Sequence, residues 1–364
     1  MTEQSQHFDP DRLAARIKTW GTELGFRKVG ISDTELTVTE ARLDEWLAEG
    51  RHGSMAWMER HGRKRTRPAE LVPGTIRIIS AAMDYWPDDA EPARAVLRRP
   101  EQGYVSRYAV GRDYHKVLRR RLQQLAERIR DEIGPFGFRV FTDSAPVMEK
   151  PIGSKAGLGS QGKHTCLIDR SAGSYFFLGE IYTDLALPID EPEETDVCGS
   201  CRACINVCPT GAITAPYQLD ARRCISYQTI ENPGSIPEEL RPLHGNRIYG
   251  CDDCQVFCPW NRYATTTEEP DFGVRNGLDA PDLVALFDWD EQQFNDRLAG
   301  SPIRRIGHEL WLRNVAVALG NAPTSERVIA ALQRRREHPS ALVREHVEWA
   351  LSRHGVTEPA STGT

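Results

Sequence analysis

The sequence predicts an α+β protein built in three parts, and three observations carry that prediction. Its 364 residues exceed what one ordinary hydrophobic core accommodates, so two or three units are expected. Helix and strand patterns interleave up to about residue 190 without the regular alternation of a parallel βαβ sheet. The cysteines are confined: residues 1–165 hold none, Cys166 stands alone, the other eight of the nine lie between Cys198 and Cys258, and none follows. The parts expected are a mixed α+β region over 1–190, a cysteine-bearing module over 191–263, a helical region over 264–356 and a disordered tail at 357–364.

From the N-terminus, residues 11–24 set Leu13, Ile17, Trp20 and Leu24 on one helical face. Residues 75–80, rich in β-branched side chains, read as a buried strand. Tyr114–Ile133 reads as a basic amphipathic helix stopped by Gly134 and Pro135. Residues 139–143 form a short strand running into a polar loop, and 175–178 and 180–183 are two further buried pieces. Residues 191–196 are an acidic linker. Beyond the cysteines, 312–320 and 343–351 repeat one pattern about 30 residues apart, the spacing of a short HEAT-like pair, although two ordinary amphipathic helices read the same way.

Hydrophobic residues at 40% and charged residues at 27% give the balance of a globular chain. Lys and Arg total 46 against 52 Asp and Glu, a formal charge of −6, so any nucleic-acid contact has to rest on a local basic face. The N-terminus shows neither a secretory nor a twin-arginine signal, and no stretch approaches the ~18 apolar residues of a membrane span. A cytoplasmic chain is expected, and in that reducing compartment clustered cysteines bind metal more readily than they form disulfides.

Cys198, Cys201, Cys204 and Cys208, with Pro209 next, follow the C-x2-C-x2-C-x3-C-P run of bacterial ferredoxins. Three closely spaced thiolates wrap one cubane, while the cysteine before proline opens a helix leading away, so its sulfur reaches the other cluster. Pro209 suits a first helical turn, where no N–H is needed. A second run, Cys251, Cys254 and Cys258 before Pro259, has three cysteines, and Cys224 supplies a fourth. The crossover assigns one [4Fe–4S] cluster to Cys198, Cys201, Cys204 and Cys258, and another to Cys208, Cys224, Cys251 and Cys254. No cysteine of the module is left over. Two four-cysteine zinc sites would use the same count, but the ferredoxin run with Thr210 to Ile213 behind it favours cubanes. Cys166, between Thr165 and Leu167, reads as a small buried hydrophobe without a role.

The residues around these cysteines resemble a known family. Cys198 to Ile213, Ala221 to Tyr227, Gly245 to Gln255 and Cys258 to Asn261 carry the likeness. So do Gly111-Arg-Asp-Tyr-His115, Asp143-Ser-Ala-Pro146, Ala156-Gly-Leu-Gly159 and Gly162-Lys163 upstream. Over roughly residues 10–350 the chain resembles epoxyqueuosine reductase. The resemblance implies a cobalamin-binding α+β domain, a ferredoxin-like two-cluster module and a C-terminal helical piece. It also implies cobalamin as a cofactor, tRNA carrying epoxyqueuosine as substrate, and an external electron donor. Nothing in the sequence demands more than a monomer. Ser160 and Gln161 depart from the Trp-Ile pair many members carry there, which puts local packing in question, while Lys163 is kept. No Asp-x-His-x-x-Gly run is present, in keeping with a corrinoid bound without a histidine on its lower face.

Reduction of an epoxide to an alkene takes two electrons and two protons, and the opened oxygen leaves only when protonated. On the resemblance, Asp143 is the proton donor, with a pKa raised by burial against the corrin; read alone, it caps a turn. Arg65, Ser106, Ser226 and Asp252 match corrinoid-contacting positions, with Ser106 acting through its backbone because members with cysteine there lose the hydroxyl. His115 and Lys163 are expected to line the cavity, and Cys251 to touch the corrin from the nearer cluster. Read alone, Arg65 belongs to a solvated basic loop, and His115 and Lys163 are satisfied structural residues. The basic runs 60–67, 119–121 and 334–336 are candidate phosphate contacts, or simply solvated faces. Two other classes compete. A ferredoxin-type electron carrier leaves the long region before the clusters unexplained. A corrinoid dehalogenase of small organohalides is disfavoured by the missing export signal and by the match around Asp143.

Overall fold

The computed structural model describes residues 8–193 and 196–356, so the expected tail at 357–364 lies outside the described residues. Asp9 starts the first helix, Pro10–Glu23, by accepting from the N–H groups of Asp11 and Arg12 at 3.0 and 3.1 Å. Four strands follow in space in the order Lys28–Ser32, Arg77–Asp84, Phe176–Thr183, Phe138–Phe141, every pair antiparallel. The two apolar pieces expected at 175–183 are one strand, Phe176–Thr183, and it runs through the sheet interior. Helix Tyr114–Ile133 forms as its periodicity dictates, capped by Asp113 and ended by Gly134 at φ +86°. Its Leu118, Leu122, Leu125 and Ile129 join Leu13 and Ile17 in one core against the sheet. Ile152, from the helix Glu149–Lys155, packs with Ile78, Phe141 and Tyr182 in a separate core. Gly30 permits a close approach there, since a Cβ on it would stand 1.9 Å from the Ala156 carbonyl oxygen.

One core crosses the expected boundaries at residues 190 and 263, while the core against the sheet draws almost wholly on residues before 190. Strand Tyr104–Val105 pairs in parallel with Arg247–Tyr249. One core gathers Val105, Val110, Ile236, Leu240 and Ile248 with Leu286, Trp311, Val315, Leu319, Val347 and Leu351. The repeated patterns lie in helices Gly307–Asn321 and Ala341–Arg353, with Glu326–Arg334 between them in sequence. These helices close over the cysteine module and do not form a core of their own, because the module is too small to bury itself.

Candidate active site

The cysteine loops are built from short pieces. Ala203–Val207 is a single helical turn ending at Cys208, Asp253–Val256 is another carrying Cys254, and Cys258 precedes the 3-10 turn Pro259–Tyr263. All nine cysteines are free thiols. Cys198, Cys201, Cys204 and the distant Cys258 line one cavity of about 190 Å³ together with His164 and Trp260. In the second set, Cys224 feels Cys208, and Cys254 feels Cys251 and Cys224. The members of each expected set thus lie near one another, and Cys166, outside both sets, lies beside Cys254 as well. Burial, and then the neighbouring Cys198 and Cys258, push the Cys204 thiol up to about 11. Such crowding is relieved when a cationic centre takes the protons' place. Among the described residues, no three ligating side chains are gathered for a single ion. Four thiols spread around a cavity suit a cubane, whereas a zinc ion would draw sulfurs to ~2.3 Å. Backbone N–H groups already point at sulfur: that of Lys163 at Cys198 Sγ, 3.4 Å, and that of Ala212 at Cys208 Sγ, 3.2 Å.

Asp143 stands just past strand Phe138–Phe141, in the left-handed region at φ +50°. Its backbone N–H donates to the Glu149 carboxylate. The Tyr114 hydroxyl donates to Asp143 Oδ2, and His115 Nε2 stands 3.2 Å from the same oxygen. The other ring nitrogen of His115 meets Asp113 Oδ1 at 2.7 Å. Burial works against a charged His115, but hydrogen bonds to Asp113 and Asp143 outweigh it and raise its pKa to about 9. For Asp143, the surrounding protein pushes the pKa up, while the bonds from His115 and Tyr114 pull it down and prevail. Within the protein alone, the pair's proton rests on His115, and the raised Asp143 pKa expected from sequence concerns burial against the corrin. The Asp143 side chain is still 55% exposed, so its carboxylate opens outward from this cage.

Two acids behind it were missed in the sequence. Burial, with Asp143 adding to it, raises Glu149 to about 8. Glu180 is fully buried in the central strand, and burial, with the neighbouring Glu149 and Asp143 carboxyls adding to it, raises its pKa well above the ordinary value. A charged residue inside the apolar run 176–183 was the available signal for Glu180; nothing in the sequence marked Glu149.

The other expected residues are distributed. Lys163 is not at the Asp143 site: its ammonium donates to the carbonyls of Gly199 and Cys201, the latter at 3.0 Å, and so braces the first cysteine loop. Asp252 and Ser106 do come together, but the Asp252 carboxylate is occupied by the Ser106 hydroxyl, the Tyr104 hydroxyl at 2.8 Å and the Arg107 N–H at 2.8 Å. Gly250 makes this possible: at φ +68°, a Cβ there would lie 2.6 Å from Ser106 Cβ. Ser226 meets the Cys251 carbonyl at 3.4 Å. Arg65 is buried, not a solvated loop residue. It donates to the Trp57 carbonyl at 3.1 Å, and its Nε has no partner. In the glycine loop, the Ser160 hydroxyl donates to the Glu193 carbonyl at 2.6 Å, and 160–161 pair with 167–168, which answers the packing question raised by the departure there.

Of the basic runs, 334–336 is committed internally. Arg334 pairs with Asp288 at 2.6 Å, Arg335 donates to the Phe287 and Trp289 carbonyls at 2.8 Å, and Arg336 pairs with Glu348 at 2.6 Å. Arg119 and Arg120 are exposed, and Arg119 reaches 3.5 Å from the Ser144 hydroxyl, next to Asp143.

The family model described as Epoxyqueuosine reductase QueG, DUF1730 matches residues 65–144, and that of the 4Fe-4S double cluster binding domain matches 197–261. An epoxyqueuosine reductase of Pseudomonas aeruginosa is 61% identical, covering 96% of each chain. Among solved structures, an epoxyqueuosine reductase with a tRNA-Tyr epoxyqueuosine-modified stem loop superposes with a TM-score of 0.86 at 27% identity, covering 94% of this chain and 90% of that one. The Bacillus subtilis epoxyqueuosine reductase, solved with its catalytic aspartate loop swung out of the active site, gives 0.83 at 27% identity with the same coverage of 94% and 90%.

Proposed function

The chain belongs to the epoxyqueuosine reductase family, and on that premise we propose that it reduces the epoxide of epoxyqueuosine, at the wobble position of a tRNA anticodon, to the alkene of queuosine. The conversion takes up two electrons and two protons and releases water. When bound, two [4Fe–4S] clusters and a cobalamin supply the electrons at the epoxide. Cys198, Cys201, Cys204 and Cys258 hold one cluster, and Cys208, Cys224, Cys251 and Cys254 the other, supported by the cavity the first set lines and the mutual proximity of the second. Arg65, with its unpartnered Nε, and Ser226, beside Cys251, are the polar side chains that would hold the corrinoid. Ser106 and Asp252, bonded to each other, offer it backbone atoms.

The proton held by His115 passes through the Asp143 carboxylate to the epoxide oxygen. The 3.2 Å contact between His115 Nε2 and Asp143 Oδ2 supports His115 as the source of that proton, with Asp113 keeping the ring charged. The Asp143 loop is the counterpart we assign to the mobile catalytic loop of the Bacillus subtilis relative. Arg119 and Arg120 are the side chains we assign to tRNA phosphates near the site. An external reductant feeds the clusters, and the chain acts as a monomer. No helix among the described residues is long and apolar enough to cross a membrane.

The observation that carries this function is the convergence of Tyr114 and His115 on the Asp143 carboxylate. The test is anaerobic reconstitution with iron, sulfide and cobalamin, followed by reductant and epoxyqueuosine-bearing tRNA, with nucleosides read by mass spectrometry. Cobalamin-dependent loss of one oxygen, abolished in Asp143→Ala with clusters intact, is the expected outcome. Conversion by Asp143→Ala at the wild-type rate would remove Asp143 from the mechanism.

A further inference from the structure

His164 is used by nothing derived so far. It sits in the turn between Ser160–Gln161 and Leu167–Ile168 and is 4% exposed. Its Nδ1 lies 3.1 Å from the Cys166 backbone N–H. A peptide N–H can only donate, so Nδ1 must present its lone pair, and the proton of the neutral ring is on Nε2. That Nε2 is buried without a well-formed hydrogen bond, and the Cys166 and Cys258 thiols face the ring. The ring lies against the Cys258 thiol and lines the cavity shared by Cys198, Cys201, Cys204 and Cys258. The fold has therefore fixed a tautomer that presents a donor beside the cysteine cavity, where cysteine sulfur faces it. Leaving it unmatched is costly, so its acceptor belongs to what the cavity holds.

We propose that His164 Nε2–H donates a hydrogen bond to sulfur of the cluster held by Cys198, Cys201, Cys204 and Cys258, either the Cys258 thiolate or a bridging sulfide, and raises that cluster's reduction potential. The proposal rests on the two-cluster reading above. Reduction adds negative charge that spreads over the sulfurs, and a hydrogen bond to sulfur stabilises the reduced form more than the oxidised one. His164 is a positioning residue here and does not touch substrate. The consequence is a place for electron entry. Cys201 of this set is exposed, so this cluster is one an external donor can approach.

The experiment is an EPR-monitored redox titration of reconstituted wild type, His164→Phe and His164→Gln, with iron counted in each. Two midpoints are expected in wild type. In His164→Phe, which keeps a ring but no donor, one midpoint should move to lower potential and the other stay. His164→Gln, with an amide donor, should recover part of the shift. Unmoved midpoints in His164→Phe at full iron content overturn the proposal. A second measurement needs no variant to fold: wild type labelled with 15N-histidine, reduced and examined by pulsed EPR, should show a nitrogen coupling at one cluster. Its absence overturns the proposal as well. Wild type that binds iron for only one cluster would instead overturn the two-cluster reading on which the proposal stands.

Discussion

At the scale of single residues, Asp143 and His115 act as one acid–base unit. His115 is raised from the ordinary 6.5 to about 9, so in the folded state it stays protonated through neutral pH. A raised folded-state pKa contributes stability that is fully present below about 6.5 and is lost as pH rises through about 9. Turnover should follow the same limb, falling as pH passes about 9, because the proton that replenishes Asp143 is gone. His115→Gln should lower kcat by roughly 10²-fold, the usual contribution of a positioned acid, and should flatten that alkaline limb in a pH–rate profile. The cysteines make a separate prediction. Cys204→Ser should leave about four of the roughly eight irons per chain, one cubane's worth, by iron assay. Unchanged iron would mean the ligand partition is drawn wrongly. Asp143 was legible as a candidate, but its protonation state was not, because that state depends on Tyr114, His115 and Glu149, and on the turn that brings them together.

At the scale of elements, helix Gly307–Asn321 is a brace for the cysteine module. Arg313 is fully buried and donates to the carbonyls of Asn232 at 2.7 Å, Gly234 at 2.6 Å and Gln228 at 2.6 Å. Asn314 beside it donates to the carbonyls of Thr229 at 2.8 Å and Ile248 at 3.0 Å. These carbonyls belong to the chain between Cys224 and Cys251, so the helix fixes the spacing between two thiols of one set. Arg313→Leu orphans one buried and two partly buried carbonyls and should cost about 2–4 kcal/mol in denaturant unfolding. It should also loosen the second cluster's hold, read as faster iron loss to a chelator. Wild-type stability and iron retention in Arg313→Leu would reduce the helix to a passive cover. The periodicity of 312–320 predicted the helix correctly, but not that an arginine and an asparagine on it point inward, since a sequence pattern reports side-chain type and not what backbone lies opposite.

At the scale of the whole molecule, a chain of net charge −6 has to offer tRNA a local face. Arg334 is paired with Asp288, whereas Arg119 and Arg120 stand exposed on the helix that also carries His115. Arg119→Ala with Arg120→Ala should weaken tRNA binding at every sequence context and reduce the slope of log K against log salt by about 1–2, while Arg334→Ala should leave both unchanged. Equal effects from the two sets would place the tRNA elsewhere. The sequence by itself determined the class of the fold, the helix Tyr114–Ile133, the cysteine-bearing module and the family, because periodicity, turn residues and ligand spacing are local properties written in order along the chain. Only the tertiary structure decided which acid holds the proton, that Lys163 braces the first cysteine loop and lies away from the Asp143 site, that His164 turns a donor toward the thiols, and that the three expected parts share a core. Each of those depends on groups far apart in sequence meeting in a water-poor interior, where partners set charge states and hydrogen bonds, and no local pattern encodes which partners meet.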